Sequence, residues 1–144
     1  MKNSEVIAEK ILIELSRLKS SLACAESCTG GSIMRVVTSA PGASNYFLGG
    51  VVAYANAVKV DHLLVNKKQL EKYGAVSEFT VCAMAQGVRT QLNSTYSVAT
   101  TGISGPAGGS IDKPVGLVWI AVCGPNNFWA KKFIFKNLLM LKIF

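Results

Sequence analysis

Histidine is nearly missing from this 144-residue chain, His62 being the single one. One imidazole leaves little room for Ser–His or Cys–His catalysis or for a histidine-rich zinc site. His62 itself reads as a surface residue of a helix. Cysteine is sparse too: Cys24, Cys28, Cys82 and Cys123 contain no C-x-x-C pair, which argues against finger or ribbon metal sites. Cys24, Cys82 and Cys123 lie in apolar patterns and read as small core fillers. Cys28 adjoins Ser27 at a glycine turn, but as a nucleophile it lacks a histidine partner. No apolar run is long enough to span a bilayer, Leu138–Leu141 included. Met1-Lys2-Asn3-Ser4-Glu5 leads directly into an amphipathic helix carrying Glu5, Glu9 and Glu14, unlike a signal peptide. The expectation is a cytoplasmic protein with no membrane partner.

Acidic residues are the other shortage, eight against fifteen lysines and arginines, for a net charge of +7. The basic residues are dispersed, with only Lys67-Lys68 and Lys131-Lys132 adjacent. No helix-turn-helix, zinc-finger or RRM signature accompanies them. A specific nucleic-acid partner is therefore not expected. A solvated basic surface, or attraction of a small phosphorylated substrate, fits as well. Half the residues are apolar and 16% are charged, so the chain has the composition of one globular domain with a real core.

Hydrophobic periodicity gives alternating elements. Residues 4–19 place Ile7, Ile11, Leu15 and Leu18 on one helical face behind a cap at Asn3 or Ser4. Residues 21–25 read as a buried strand and 29–38 as a helix stopped by Ala40-Pro41-Gly42. Residues 46–55 are a strand in which Gly49-Gly50 marks a bulge or a close backbone approach. Short helices follow at 56–64 and 67–73, and Ser77 caps a longer one with a Val81, Met84, Val88, Leu92 stripe. A strand at 95–100 and a hairpin of 115–122 with 128–135 complete the set. The pattern predicts a three-layer α/β/α domain on a mixed, mostly parallel sheet of about five strands.

Three segments converge at strand ends, where such folds bind ligands. The first is Ala25-Glu26-Ser27-Cys28-Thr29-Gly30-Gly31, a strand running into hydroxyls and glycines at a helix N-terminus. There an anion or a developing oxyanion is stabilised, and a nucleophilic serine can stand; a plain N-cap is the competing reading. The second is Tyr54-Ala55-Asn56-Ala57-Val58-Lys59, whose lysine can swing back over the strand end or merely face solvent. The third is the hydroxyl- and glycine-rich run Thr101-Gly102-Ile103-Ser104-Gly105-Pro106-Ala107-Gly108-Gly109, whose amides can approach a phosphate or carboxylate. It is not a Walker loop, since no Gly-Lys-Ser/Thr follows.

Read together with Pro41-Gly42-Ala43-Ser44, Gly74-Ala75-Val76-Ser77-Glu78 and Lys113-Pro114-Val115-Gly116, these motifs occur in an order that closely resembles the CinA C-terminal domain family. That family includes stand-alone nicotinamide-nucleotide amidases. The resemblance spans residues 5–135, and the chain looks like the stand-alone form. It implies hydrolysis of the carboxamide of nicotinamide mononucleotide to nicotinic acid mononucleotide and ammonia. On that resemblance Ser27 is the nucleophile, with Tyr54 and Lys59 as its supporting groups and Thr101 in contact with substrate. Cys28, Thr29, Gly30, Gly31, Asn56, Gly102, Gly105, Gly108 and Gly109 join Thr101 as candidate substrate-binding residues, and the amides of 28–31 as the oxyanion site. The glycine loop and lysines such as Lys113 are candidates for the phosphate. No metal or cofactor is implied, and a homodimer is the assembly the family suggests.

One stretch departs from that pattern. Relatives follow the last strand with a Gly-Asp-Arg turn and a C-terminal helix, whereas residues 136–144 read Lys-Asn-Leu-Leu-Met-Leu-Lys-Ile-Phe. A divergent or truncated tail of this kind predicts weaker substrate binding or stability, with the fold kept. The competing function is a catalytically impaired nucleotide-binding or competence-associated protein that uses the same pocket.

Overall fold

The structure is a computed structural model and describes residues 2–136. The expectations for 137–144 lie outside the described residues. The elements are α1 (Lys2–Arg17), β1 (Leu22–Glu26), α2 (Ser32–Ser39), a 3-10 turn (Ala43–Asn45), β2 (Phe47–Val52), α3 (Asn56–Leu63), α4 (Lys67–Tyr73), α5 (Glu78–Leu92), β3 (Tyr96–Gly102), β4 (Leu117–Cys123) and β5 (Phe128–Ile134). They build a five-stranded sheet in the order β2-β1-β3-β4-β5. β1 pairs parallel with both β2 and β3, and β3–β4 and β4–β5 are antiparallel, so four of the five strands point the same way.

β1 lies between two strands and is buried along its whole length. Its alternating side chains divide two cores, as strand periodicity requires. Ala23 and Ala25 pack with Leu63, Val65, Leu70, Val81, Met84 and Val88 of the α3–α5 layer. Leu22 and Cys24 pack with Ala8, Leu12, Leu15 and Val37 of the α1–α2 layer. The three-layer architecture follows from that alternation.

The Gly49-Gly50 pair does both things expected of it. The β1–β2 register slips between Leu22, paired with Phe47, and Ala23, paired with Gly49. One residue on, a Cβ at Gly50 would run into the Cys24 carbonyl oxygen and the Met34 sulfur. Two local expectations are corrected. α1 buries Ala8, Leu12 and Leu15, while Ile7, Ile11 and Leu18 are exposed, and Asn3 and Ser4 lie inside the helix rather than capping it. α2 begins at Ser32, three residues later than expected, because residues 27–31 are used as a turn that ends with Gly31 at φ +98°.

Candidate active site

The site forms where three strand ends meet on the α3–α5 side of the sheet. After Val52 the chain leaves β2, and the Ala53 N–H donates to the Glu26 carbonyl at 2.7 Å. The carbonyls of Ala53 and Tyr54 are then free of the sheet ladder and face α3. Lys59, on the first turns of α3, turns back onto them, and its residue is only 1% exposed. Its Nζ donates to Ala53 O at 2.7 Å, to Tyr54 O at 3.2 Å and to Ser27 Oγ at 3.2 Å.

That geometry has a chemical consequence. An ammonium has three N–H donors, and all three are engaged here. When the group loses a proton, the two carbonyls still require the two remaining N–H bonds. The lone pair then faces Ser27 Oγ, where a base for the serine proton must stand. Burial favours that neutral form: desolvation lowers the Lys59 pKa below its ordinary 10.5, and the nearby Cys28 thiol opposes the shift. Ser27 is itself buried, with its N–H donating to Thr100 O at 3.1 Å.

A cavity of about 280 Å³ opens over this pair. Its walls include Ser27, Cys28, Tyr54, Lys59, Thr101, Gly102, Gly105 and Gly108 of the expected residues. Ala75, Val76, Ile103, Ser104 and Ala107 complete it; the last three belong to the expected 101–109 run, whereas the residue-type patterns had given Ala75 and Val76 no role. The signal for Ala75 and Val76 was their place within one of the ordered motifs. Thr101 Oγ1 donates to Ala75 O at 2.7 Å, which ties the 75–76 segment to the end of β3. Tyr54 is 62% exposed at the rim, and it is its carbonyl that meets Lys59.

Other expected residues stand elsewhere. Asn56 lines a separate cavity of about 390 Å³ between α3 and α4, with Val60, Asp61 and Leu70 among its walls. Thr29 Oγ1 is hydrogen-bonded to Thr100 Oγ1 at 2.8 Å, and neither Thr29, Gly30, Gly31 nor Gly109 lines the Ser27 cavity. Lys113 Nζ donates to Tyr73 O at 3.2 Å, which fastens the 103–116 loop to the end of α4. The oxyanion site expected at residues 28–31 is also reduced. The Gly30 N–H donates to Ser27 O at 3.1 Å, and the Gly31 N–H donates to Glu26 Oε2 at 3.0 Å. Across the cavity, no backbone carbonyl among the described residues takes up the N–H groups of Ser104, Gly105, Ala107 or Gly108. Those four residues line the cavity, which makes their amides candidate donors to a bound anion.

The remaining candidates are quiet. His62 is exposed on α3, and none of the four cysteines, all among the described residues, is in a disulfide. Burial pushes the buried Cys24 up to about 12 and the half-buried Cys82 up to about 11, which disfavours the thiolate at both. Among the described residues, no helix is long and apolar enough to cross a membrane.

Fold and site thus define an α/β domain with a buried serine–lysine pair at its strand ends. The chain belongs to the CinA C-terminal domain family, whose pattern matches residues 4–139. It is 50% identical over 125 residues to a CinA-like protein of Synechococcus sp. (strain RCC307), covering 87% of this chain and 30% of that one. A CinA-like protein of Amoebophilus asiaticus is 45% identical over 135 residues, 94% of this chain and 32% of its own. The chain therefore spans about a third of the length of these relatives. Among solved structures, the competence/damage inducible protein CihA of Agrobacterium tumefaciens superposes with a TM-score of 0.93 at 36% identity, covering 97% of this chain and 87% of its own. A CinA superfamily protein of Escherichia coli gives 0.91 at 28% identity, covering 96% and 81%.

Proposed function

We propose that this domain is a Ser–Lys amidohydrolase acting on the carboxamide of nicotinamide mononucleotide. The observation that carries the reading is Lys59 Nζ at 3.2 Å from Ser27 Oγ, with carbonyls fixing its other two N–H directions. In the first step Ser27 Oγ attacks the carboxamide carbon and its proton passes to neutral Lys59. The tetrahedral oxyanion is stabilised by amide donors close to Ser27 or across the cavity at 104–108, a contribution of about 3–4 kcal/mol per donor in studied hydrolases. The C–N bond then breaks, and the proton on Lys59 goes to the departing ammonia. Water attacks the resulting ester with Lys59 again as base, which releases nicotinic acid mononucleotide and restores Ser27. Proton transfer of this kind contributes roughly 100- to 10,000-fold in rate. Thr101 holds the cavity wall, Tyr54 closes its rim, and the amides of the glycine loop not used for the oxyanion suit a phosphate.

The test is ammonia release from nicotinamide mononucleotide. Ser27→Ala is expected to lower kcat/KM by about 1,000-fold or more, and Lys59→Ala by roughly 100- to 10,000-fold. A folded wild type that releases no ammonia overturns the reading. The competence/damage names of the solved relatives favour a second one, a catalytically impaired, competence-associated protein that keeps the same pocket. Tight binding of the mononucleotide with no ammonia would support it.

A further inference from the structure

Glu26 is fully buried at the end of β1, one residue before Ser27, and the reaction above gives it no part. Its Oε1 accepts the N–H of Met34 at 2.8 Å, and its Oε2 accepts those of Gly31 at 3.0 Å and Ile33 at 3.2 Å. These N–H groups belong to the start of α2, which have no partner within the helix itself. The carboxylate thus occupies the place to which a helix N-terminus would draw an external anion. The main chain of Glu26 is equally fixed. Its carbonyl accepts the Ala53 N–H, and the residue is paired with Val52 on one side and Thr100 on the other.

The loop 27–31 is therefore bound at both ends to one residue. It starts from the Glu26 backbone, and the Glu26 side chain holds its far end at Gly31. Gly30 N–H to Ser27 O tightens it from within, and a hydrogen bond between Thr29 Oγ1 and Thr100 Oγ1 ties it to β3. An ordinary cap for an eight-residue helix would be a local Ser, Thr, Asp or Asn at the N-cap. Here that position is Gly31, which has no side-chain cap, and the acceptor is a buried carboxylate attached to the residue before the nucleophile. Burying a carboxylate is costly unless its oxygens are fully bonded, so this arrangement holds one geometry and penalises others.

We infer that Glu26 is a positioning residue for Ser27, holding the 27–31 loop so that Oγ meets Lys59. The inference rests on the reading of Ser27 as the nucleophile. The same bonds to Glu26 occupy the Gly31, Ile33 and Met34 amides, which are then closed to an external anion. Glu26 does not line the cavity, so its loss acts on turnover rather than on substrate affinity.

The experiment compares the full chain with Glu26→Gln and Glu26→Asp variants. The readouts are melting temperature, amide exchange at Gly31, Ile33 and Met34, kcat and KM for ammonia release, and the rate at which a fluorophosphonate labels Ser27. Glutamine sets an NH2 group against backbone N–H donors. The expected result is a folded variant with faster exchange at the three amides and slower labelling. Its kcat falls about 10- to 100-fold, as small misplacements of a reacting group do. KM stays within about threefold, as expected for a group that acts on turnover. The aspartate, which keeps the charge on a shorter arm, recovers part of kcat and carries the comparison if the glutamine variant does not fold. A folded variant with wild-type kcat and labelling, whatever its melting temperature, overturns the inference and leaves Glu26 a structural cap. A wild type that is labelled but releases no ammonia sinks the substrate reading alone, and labelling then decides the role of Glu26. A wild type that neither labels nor turns over overturns both.

Discussion

In the proposed mechanism Lys59 is the residue on which the chemistry turns, and its titration gives a signed prediction. That mechanism requires the neutral amine, so kcat/KM should rise with pH as Lys59 loses its proton. Burial places that midpoint below the ordinary lysine value of 10.5. A pH–rate profile measures it, and a limb at the unperturbed value would contradict the desolvated site. Stability follows the same shift. Between the lowered native pKa and 10.5, the unfolded chain binds a proton that the native state does not, so stability falls as pH drops through that window. Lys59→Met removes the titration. Denaturant melts should therefore show its stability relative to wild type improving as pH is lowered from 10.5. The meeting of Ser27 with Lys59, with Tyr54 beside them, was legible because a hydroxyl, a strand exit and a lysine at such spacing match an ordered family pattern. Glu26 was not, since its partners are backbone amides that exist as a set only once the turn has formed. Asn56 was misplaced because the first turn of α3 directs it to the α3–α4 cavity while Lys59 turns back to Ser27.

At the level of elements, the strands were the more readable part. β1 is apolar up to its last residue, Glu26, because both faces are covered, and the hairpin turn announces itself as Gly124-Pro125-Asn126-Asn127. Helix faces were harder. α1 carries two apolar stripes, and periodicity alone does not choose between them. The buried one contains Ala8, small enough to let the helix close onto the sheet layer, while the bulkier Ile7 and Ile11 stay outside. The start of α2 was set by the Glu26 carboxylate rather than by a local cap. Contact between elements gives a further prediction. A Cβ at Gly87 of α5 would collide with the Leu63 carbonyl at the end of α3, the helix that carries Lys59. Gly87→Ala should cost about 1–3 kcal/mol in denaturant unfolding. Activity should fall with it, because α3 must move. Unchanged stability would mean that α3 and α5 do not pack this closely.

The whole molecule carries +7 charge on a small three-layer domain. If its substrate is a phosphate ester, the field should gather that substrate at low salt. Raising ionic strength from about 0.01 to 0.15 M shortens the screening length from roughly 30 to 8 Å. KM for the mononucleotide should then rise several-fold with kcat little changed, and a KM indifferent to salt would remove charge from the explanation of binding. The layered architecture and single sheet were readable from the alternation of helices and strands, and the split of β1 between two cores explains why. The site needed the assembled sheet, because β1, β2 and β3 each bring to it a segment distant in sequence. The most direct measurement is the double-mutant cycle of Ser27→Ala and Lys59→Ala in ammonia release from nicotinamide mononucleotide. A nucleophile and its base act as a unit, so the double variant should be no slower than the slower single variant, within a few-fold. Losses that multiply, or a Ser27→Ala variant that keeps substantial turnover, would contradict a Ser–Lys amidase.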